Sequence, residues 1–154
     1  MKRLAIKVFA ALVLIQFIPY GRNHTNPPAG QEPRWDRPET QALARRACFD
    51  CHSNETRWPW YSHVAPASWL VQNDVDGARA LLNFTEWQRP QRRAGDAPKV
   101  VAERDMPPWD YLLMHPRARL SDAERQVLSH GLAASLAGPD KQPAPPSGDP
   151  GKPR

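Results

Sequence analysis

The sequence predicts an all-α domain. Three segments carry apolar residues at helical spacing. No stretch sustains the period-two alternation of β-branched residues that a half-buried strand needs. The connections are long and rich in proline, with 18 Pro against 8 Gly in 154 residues. A chain of that length with 40% hydrophobic residues supplies one modest core plus appendages. It excludes a large enzyme and a multi-span membrane protein.

The N-terminal element, residues 1–20, reads as a targeting segment. Lys2, Arg3 and Lys7 form a positive start, and Val8 to Ile18 is apolar except for Gln16. The apolar run passes into Pro19-Tyr20-Gly21-Arg22 without the small-residue pattern of a cleavage site. An uncleaved anchor is therefore expected in preference to a cleaved signal, with Lys7 snorkelling and Tyr20 at the interface. Either reading keeps the basic flank in the cytoplasm and exports the rest of the chain. Residues 21–34 hold Gly21, Pro27, Pro28, Gly30 and Pro33 and read as a spacer.

The folded unit is expected over residues 35–138. Pro38 and Glu39 suit the first turn of a helix that runs through Leu43 and Ala47 toward Cys48. Val71, Val75, Ala78 and Leu82 fall on one face of a second helix. Ser121-Asp122-Ala123-Glu124 is a capping-box pattern. It opens a third helix with Leu128, Leu132 and Leu136 on one face, closed by Gly138 and Pro139. Residues 139–154 contain six prolines, two glycines and no large apolar residue, so a disordered tail is expected. Helices this few and short, with loops this long, point to something other than side chains at the centre.

The net charge of +5 is unevenly placed. Residues 1–30 carry Lys2, Arg3, Lys7 and Arg22 with no acid, whereas residues 31–138 balance 14 bases with 14 acids. A neutral domain gives no footprint for nucleic acid.

The chemistry lies at Cys48-Phe49-Asp50-Cys51-His52. C-x-x-C-H is the attachment pattern for a c-type haem. Two thiols three residues apart can both face one porphyrin edge and form thioethers with its vinyl groups. The next residue then presents an imidazole to the iron, so His52 is the expected proximal ligand. A thiol–disulfide motif would need a βαβ setting. A zinc site would usually show a second paired set of ligands. Neither accompaniment is visible.

For the sixth iron position the candidates are Met106, Met114, His63, His115 and His130. Met106 is favoured. Pro107 biases it toward extended backbone, Pro108 stiffens the loop, and the 54 residues after His52 give the chain room to pass round a flat cofactor. Met114 reads as core beside Leu112 and Leu113, and His115, also before a proline, is the competitor. Trp58, Trp60, Tyr61 and Trp69 are expected to line the cofactor and fill the core around it. Their polar tips and Arg57 are candidates to reach its propionates.

The run from Cys48 to Ser62 (Cys-Phe-Asp-Cys-His-Ser-Asn-Glu-Thr-Arg-Trp-Pro-Trp-Tyr-Ser) resembles the bacterial haem-binding domain family of cytochrome c-like proteins. Matches continue in order at Ala65 to Leu70, Asn83 to Trp87, Met106-Pro107-Pro108, Tyr111, His115-Pro116 and Leu120-Ser121. The resemblance covers about Trp35 to Leu136. It implies a small cytochrome c-like helical domain around one covalent haem c, with Cys48 and Cys51 as attachment points and His52 as axial ligand. It also implies an exported and often membrane-anchored protein, on the periplasmic side of a bacterial inner membrane or released to the periplasm. Two departures stand out. Pro90, Gly95 and Pro98 interrupt a segment expected to be a charged helix, leaving only Val100 to Arg104 for a turn. Ser129-His130 stands where a tryptophan is expected.

Two function classes follow. One is an electron carrier, not an enzyme, that exchanges electrons with redox partner proteins through six-coordinate iron. The other is a haem sensor or peroxidase-like enzyme with a labile sixth position.

Overall fold

A computed structural model describes residues 1–136, and every described element is helical. The α-helices are α1 (Lys2–Leu14), α2 (Pro38–Ala47), α3 (Phe49–His52), α4 (Ala67–Leu81), α5 (Ala97–Ala102), α6 (Trp109–Met114) and α7 (Asp122–Ser135). Short 3-10 turns lie at Ile15–Phe17, Trp60–His63, Ala94–Asp96 and Pro116–Ala118. The expected tail, 139–154, and the last two residues of the expected domain lie outside the described residues.

The frame is a pair of packed helices, α2 and α7. Pro38 occupies the first turn of α2, where no N–H is needed, and Glu39 at its start and Arg45 and Arg46 at its end suit the helix dipole. At the start of α7 the Ser121 hydroxyl accepts a hydrogen bond from the Glu124 N–H, while the Glu124 carboxylate accepts one from the Ser121 N–H at 2.8 Å. The helices approach closely where Gly131 meets Thr40; a Cβ at 131 would overlap the Thr40 side chain. Leu43, Ala44, Phe49, Phe84, Leu128 and Leu132 form the buried centre of this layer.

Helix α5 packs on α7 and contributes Val101 to the same core. The segment before Met106 is therefore more ordered than its breakers suggest. Pro98 sits in the first turn of α5, a place a proline tolerates, and so starts this helix. Helix α4 belongs to a second layer, packed on α3 and on the 60–63 turn. Of its expected stripe only Val75 and the flanking Leu82 are buried, while Val71 and Ala78 stay partly open.

Residues 21–34 are extended and bound along the domain. His24 Nε2–H donates to the Ser62 carbonyl, Asn26 to the Thr56 carbonyl, and the Gly30 N–H to the Thr85 carbonyl. Gly21 has φ +74° and lies against the Ser68 backbone, where a Cβ would collide with the Ser68 carbonyl.

The expected N-terminal membrane span needs correction. α1 has 13 residues, or roughly 20 Å at 1.5 Å per residue, against about 30 Å of hydrocarbon. No helix among the described residues is long and apolar enough to cross a membrane. The 3-10 turn ends the helix, and the Gln16 side chain bonds both the N–H and the carbonyl of Ala65.

Candidate functional site

The end of α2 feeds directly into the short helix α3, which puts Cys48, Cys51 and His52 on one side of a single turn. Both cysteines are free and partly buried. Burial pushes both thiols up to about 12, and the Asp50 carboxylate adds to the effect at Cys51. These are protonated thiols, the opposite of the lowered pKa that a thiol–disulfide exchanger uses. The zinc alternative finds no support either: among the described residues no three His, Cys, Asp or Glu side chains converge as a metal site.

His52 is held in one tautomer. Its Nδ1–H donates to the Leu82 carbonyl at 3.0 Å, which leaves the lone pair on Nε2. Burial lowers its pKa, so the neutral, ligating form is favoured. The peptide unit that carries this carbonyl is tied by its own N–H, which Asn83 donates to Gln91 Oε1 at 2.8 Å, and buried hydrogen bonds surround it. The Phe84 N–H donates to the His52 carbonyl at 2.8 Å. Asn83, buried beside it, donates to Asn54 Oδ1 at 2.8 Å and accepts from the Thr85 N–H and hydroxyl at 3.0 and 2.9 Å. The Asn54 N–H donates to Thr85 Oγ1 at 2.8 Å. The sequence marks Asn83, Phe84 and Thr85 only through the family resemblance; Leu82 enters as a helix-face residue, and its carbonyl is not anticipated.

Met106 sits on the other layer. It packs against the core cluster beside α5, its N–H donates to the Val100 carbonyl at 3.1 Å, and Arg125 donates to its carbonyl at 3.3 Å. His52 is thus attached to the end of α4, and Met106 to the α5–α7 layer.

The other candidates for the sixth position are placed differently. Both nitrogens of His115 are engaged: Nδ1–H donates to the Tyr111 carbonyl at 3.0 Å, and the Tyr61 hydroxyl lies 3.4 Å from Nε2. Its ring stacks on Tyr111 with centroids 4.0 Å apart. His63 is exposed and meets His24 edge-on, and His130 is exposed on α7. Met114 is 55% exposed and Leu113 63%, so they are not the core pair the sequence suggests. Trp60, expected to fill the core, is 73% exposed.

Asp50, between the two cysteines, gathers a second set of contacts. It accepts from Arg57 at 3.1 and 3.3 Å and from the Tyr111 hydroxyl at 2.9 Å. Burial and this carboxylate together hold the Tyr111 phenol well above its ordinary range. The sequence offers Arg57 as a propionate partner, whereas here it is paired with Asp50.

Several features fit a haem. One turn presents two thiols and an imidazole whose Nδ1–H is bound to the Leu82 carbonyl. The apolar stripe of α4 is left partly open. The indole N–H groups of Trp58 and Trp69 are buried with no acceptor among the described residues, as donors awaiting a polar group would be.

No curated protein and no solved structure matches the chain. The family model of the haem-binding domain matches residues 10–134, most of its length. With the tautomer-locked His52 following two unpaired thiols, this match places the chain in the haem-binding domain family.

Proposed function

We propose that the protein is an exported single-haem c-type cytochrome that carries electrons. The observation that supports this most is His52, whose Nδ1–H is bound to the Leu82 carbonyl on the turn that carries Cys48 and Cys51. In this reading Cys48 and Cys51 would hold the haem covalently, and His52 Nε2 and Met106 would ligate its iron. A bound haem supplies a one-electron iron couple. The chain's part is to orient the imidazole through Leu82, to offer the Met106 thioether from the α5–α7 layer, and to keep water away with Phe84 and Leu82. A thioether opposite an imidazole raises the potential relative to two imidazoles, which suits a carrier. No catalytic residue is assigned. The apolar side chains of α1 are exposed and follow Lys2 and Arg3, which supports attachment to a membrane surface on the periplasmic side. Redox proteins are the expected partners.

The test is an absorption spectrum of the protein expressed with export, oxidised and reduced, with and without carbon monoxide. The reduced protein should not bind carbon monoxide readily. Met106→Ala should bind it, lose the weak far-red sulfur–iron band and show a lower potential, whereas Met114→Ala and His115→Ala should change none of these. Rapid carbon monoxide binding by the unaltered protein would instead favour the sensor or peroxidase-like reading.

A further inference from the structure

Met106 stands outside any helix, in the loop between α5 and α6. Its N-terminal side is fastened to α5: the Asp105 and Met106 N–H groups both donate to the Val100 carbonyl, at 3.0 and 3.1 Å. To reach that carbonyl the chain turns at Arg104, which takes φ 69°. A residue with a Cβ keeps this left-handed conformation only where its surroundings hold it. The C-terminal side of Met106 lacks such a local fastening. Pro107 and Pro108 carry no N–H, so the next backbone donor is at Trp109. The Met106 carbonyl is bound instead from another helix, by Arg125.

Arg125 is out of character with its place on α7. Its spacing from the buried Leu128 and Leu132 puts it on the helix face that enters the core, and it is itself half-buried. An apolar side chain there would extend the stripe, whereas an arginine brings a charge that must be bonded or hydrated. The two acids in the first turn of α7 are committed to other arginines, Asp122 to Arg104 and Glu124 to Arg46, both at 2.7 Å. Arg125 is spent on backbone. Its Nη1 donates to the Val101 carbonyl at 2.9 Å and to the Met106 carbonyl at 3.3 Å. One nitrogen thus ties the last turn of α5 and the Met106 loop to α7. Bonds from a charged donor are stronger than neutral ones. The base is firm, because α7 is capped by Ser121 and packs on both α2 and α5.

We propose that Arg125 is the positioning residue for the sixth iron ligand. By holding the Val101 and Met106 carbonyls on α7, it fixes the backbone from which the Met106 thioether extends. It thereby governs how readily that thioether leaves the iron. An external ligand that binds only the open form is held back in proportion to the fraction of molecules that are open. Arg125 thus keeps small ligands out, as a carrier requires. The inference rests on the reading of Met106 as an axial ligand and adds the residue that controls it.

The experiment is stopped-flow carbon monoxide binding to the reduced full chain with its haem attached. The far-red sulfur–iron band of the oxidised protein and denaturant unfolding are recorded for the same variants. Arg125→Gln should take up carbon monoxide about tenfold faster than the unaltered protein, the equivalent of about 1.4 kcal/mol, and its band should weaken. Arg125→Lys keeps the charge on a shorter side chain and should fall between the two. Ser121→Ala weakens the same helix without touching the loop and should change neither uptake nor band. Met106→Ala sets the fully open limit. If Met106→Ala opens the iron while Arg125→Gln leaves uptake and band unchanged, the proposal is overturned and the ligand reading stands. The proposal is also overturned if Ser121→Ala speeds uptake as much as Arg125→Gln, because lost stability alone would then be the cause. Should Arg125→Gln fail to fold, Arg125→Lys decides, and uptake equal to that of the unaltered protein overturns the proposal. If Met106→Ala itself changes nothing, the ligand reading fails and this inference fails with it.

Discussion

Replacing Asn83 by Ala removes the centre of the buried hydrogen-bond network next to the Leu82 carbonyl that binds His52. Asn83 is 1% exposed and makes three hydrogen bonds with its side chain, one to Asn54 and two from Thr85. Its loss strands Asn54 Oδ1 and the Thr85 N–H, both on buried residues. Each stranded buried group costs about 1–3 kcal/mol, so the variant should lose roughly 2–6 kcal/mol, with entry of a water bringing it toward the lower figure. Against a typical total of about 5–15 kcal/mol that is a large fraction. At about 3 °C per kcal/mol for a domain of this size, Tm should fall by about 10 °C. The assay is denaturant unfolding followed in parallel by circular dichroism and haem absorbance. Lys99→Ala, which removes only an exposed pair with Glu103 at 3.9 Å, serves as the control and should stay within about 0.5 kcal/mol. The variant should also change the axial imidazole's environment, seen as an altered potential in the folded protein. If Asn83→Ala stays within about 0.5 kcal/mol of the unaltered protein with an unchanged potential, the network does not position His52.

Three further perturbations test the frame and the N-terminal segment. Ser121→Ala removes the cap of α7 and should cost about 1 kcal/mol by thermal unfolding, with no change in the haem spectrum. Glu124 has its carboxyl held below the ordinary range, first by the Ser121 N–H and then by Arg46, so the unfolded chain binds more protons in acid. Its stabilisation is present above the unfolded pKa and is lost as pH falls through the lower folded value; Glu124→Gln should therefore flatten the acid limb of a stability–pH curve. Gly21→Ala meets both a positive φ and the Ser68 carbonyl, so it should destabilise the chain by about 1 kcal/mol or more, measured by denaturant unfolding. An unchanged stability there would mean that the extended segment does not bind the domain in solution.

Local signals carried much of the architecture. α2, α4 and α7 are legible because proline at the first turn, apolar spacing and a capping box act within a few residues. The attachment turn is legible because its chemistry is fixed by a five-residue spacing. Other features depend on contacts distant in sequence. The spacer at 21–34 looks unstructured because its fixed points are backbone carbonyls of Thr56, Ser62 and Thr85, which no composition reveals. Pro98 breaks a helix in mid-run but starts one in its first turn, and only the packing of Val101 on the core decides between them. The exposure of Trp60, Leu113 and Met114 runs against their apolar character because position on the fold outweighs residue type. The Leu82 carbonyl, which fixes the His52 tautomer, is a backbone group and leaves no mark on the sequence.

The most direct test of the central claim is the intact mass of the exported protein after denaturation, together with haem staining of a denaturing gel. Covalent attachment through Cys48 and Cys51 predicts a mass above that of the polypeptide by one haem and a stained band. Cys48→Ala with Cys51→Ala should lose both. Colour that washes out on denaturation, with the bare polypeptide mass remaining, would contradict the account.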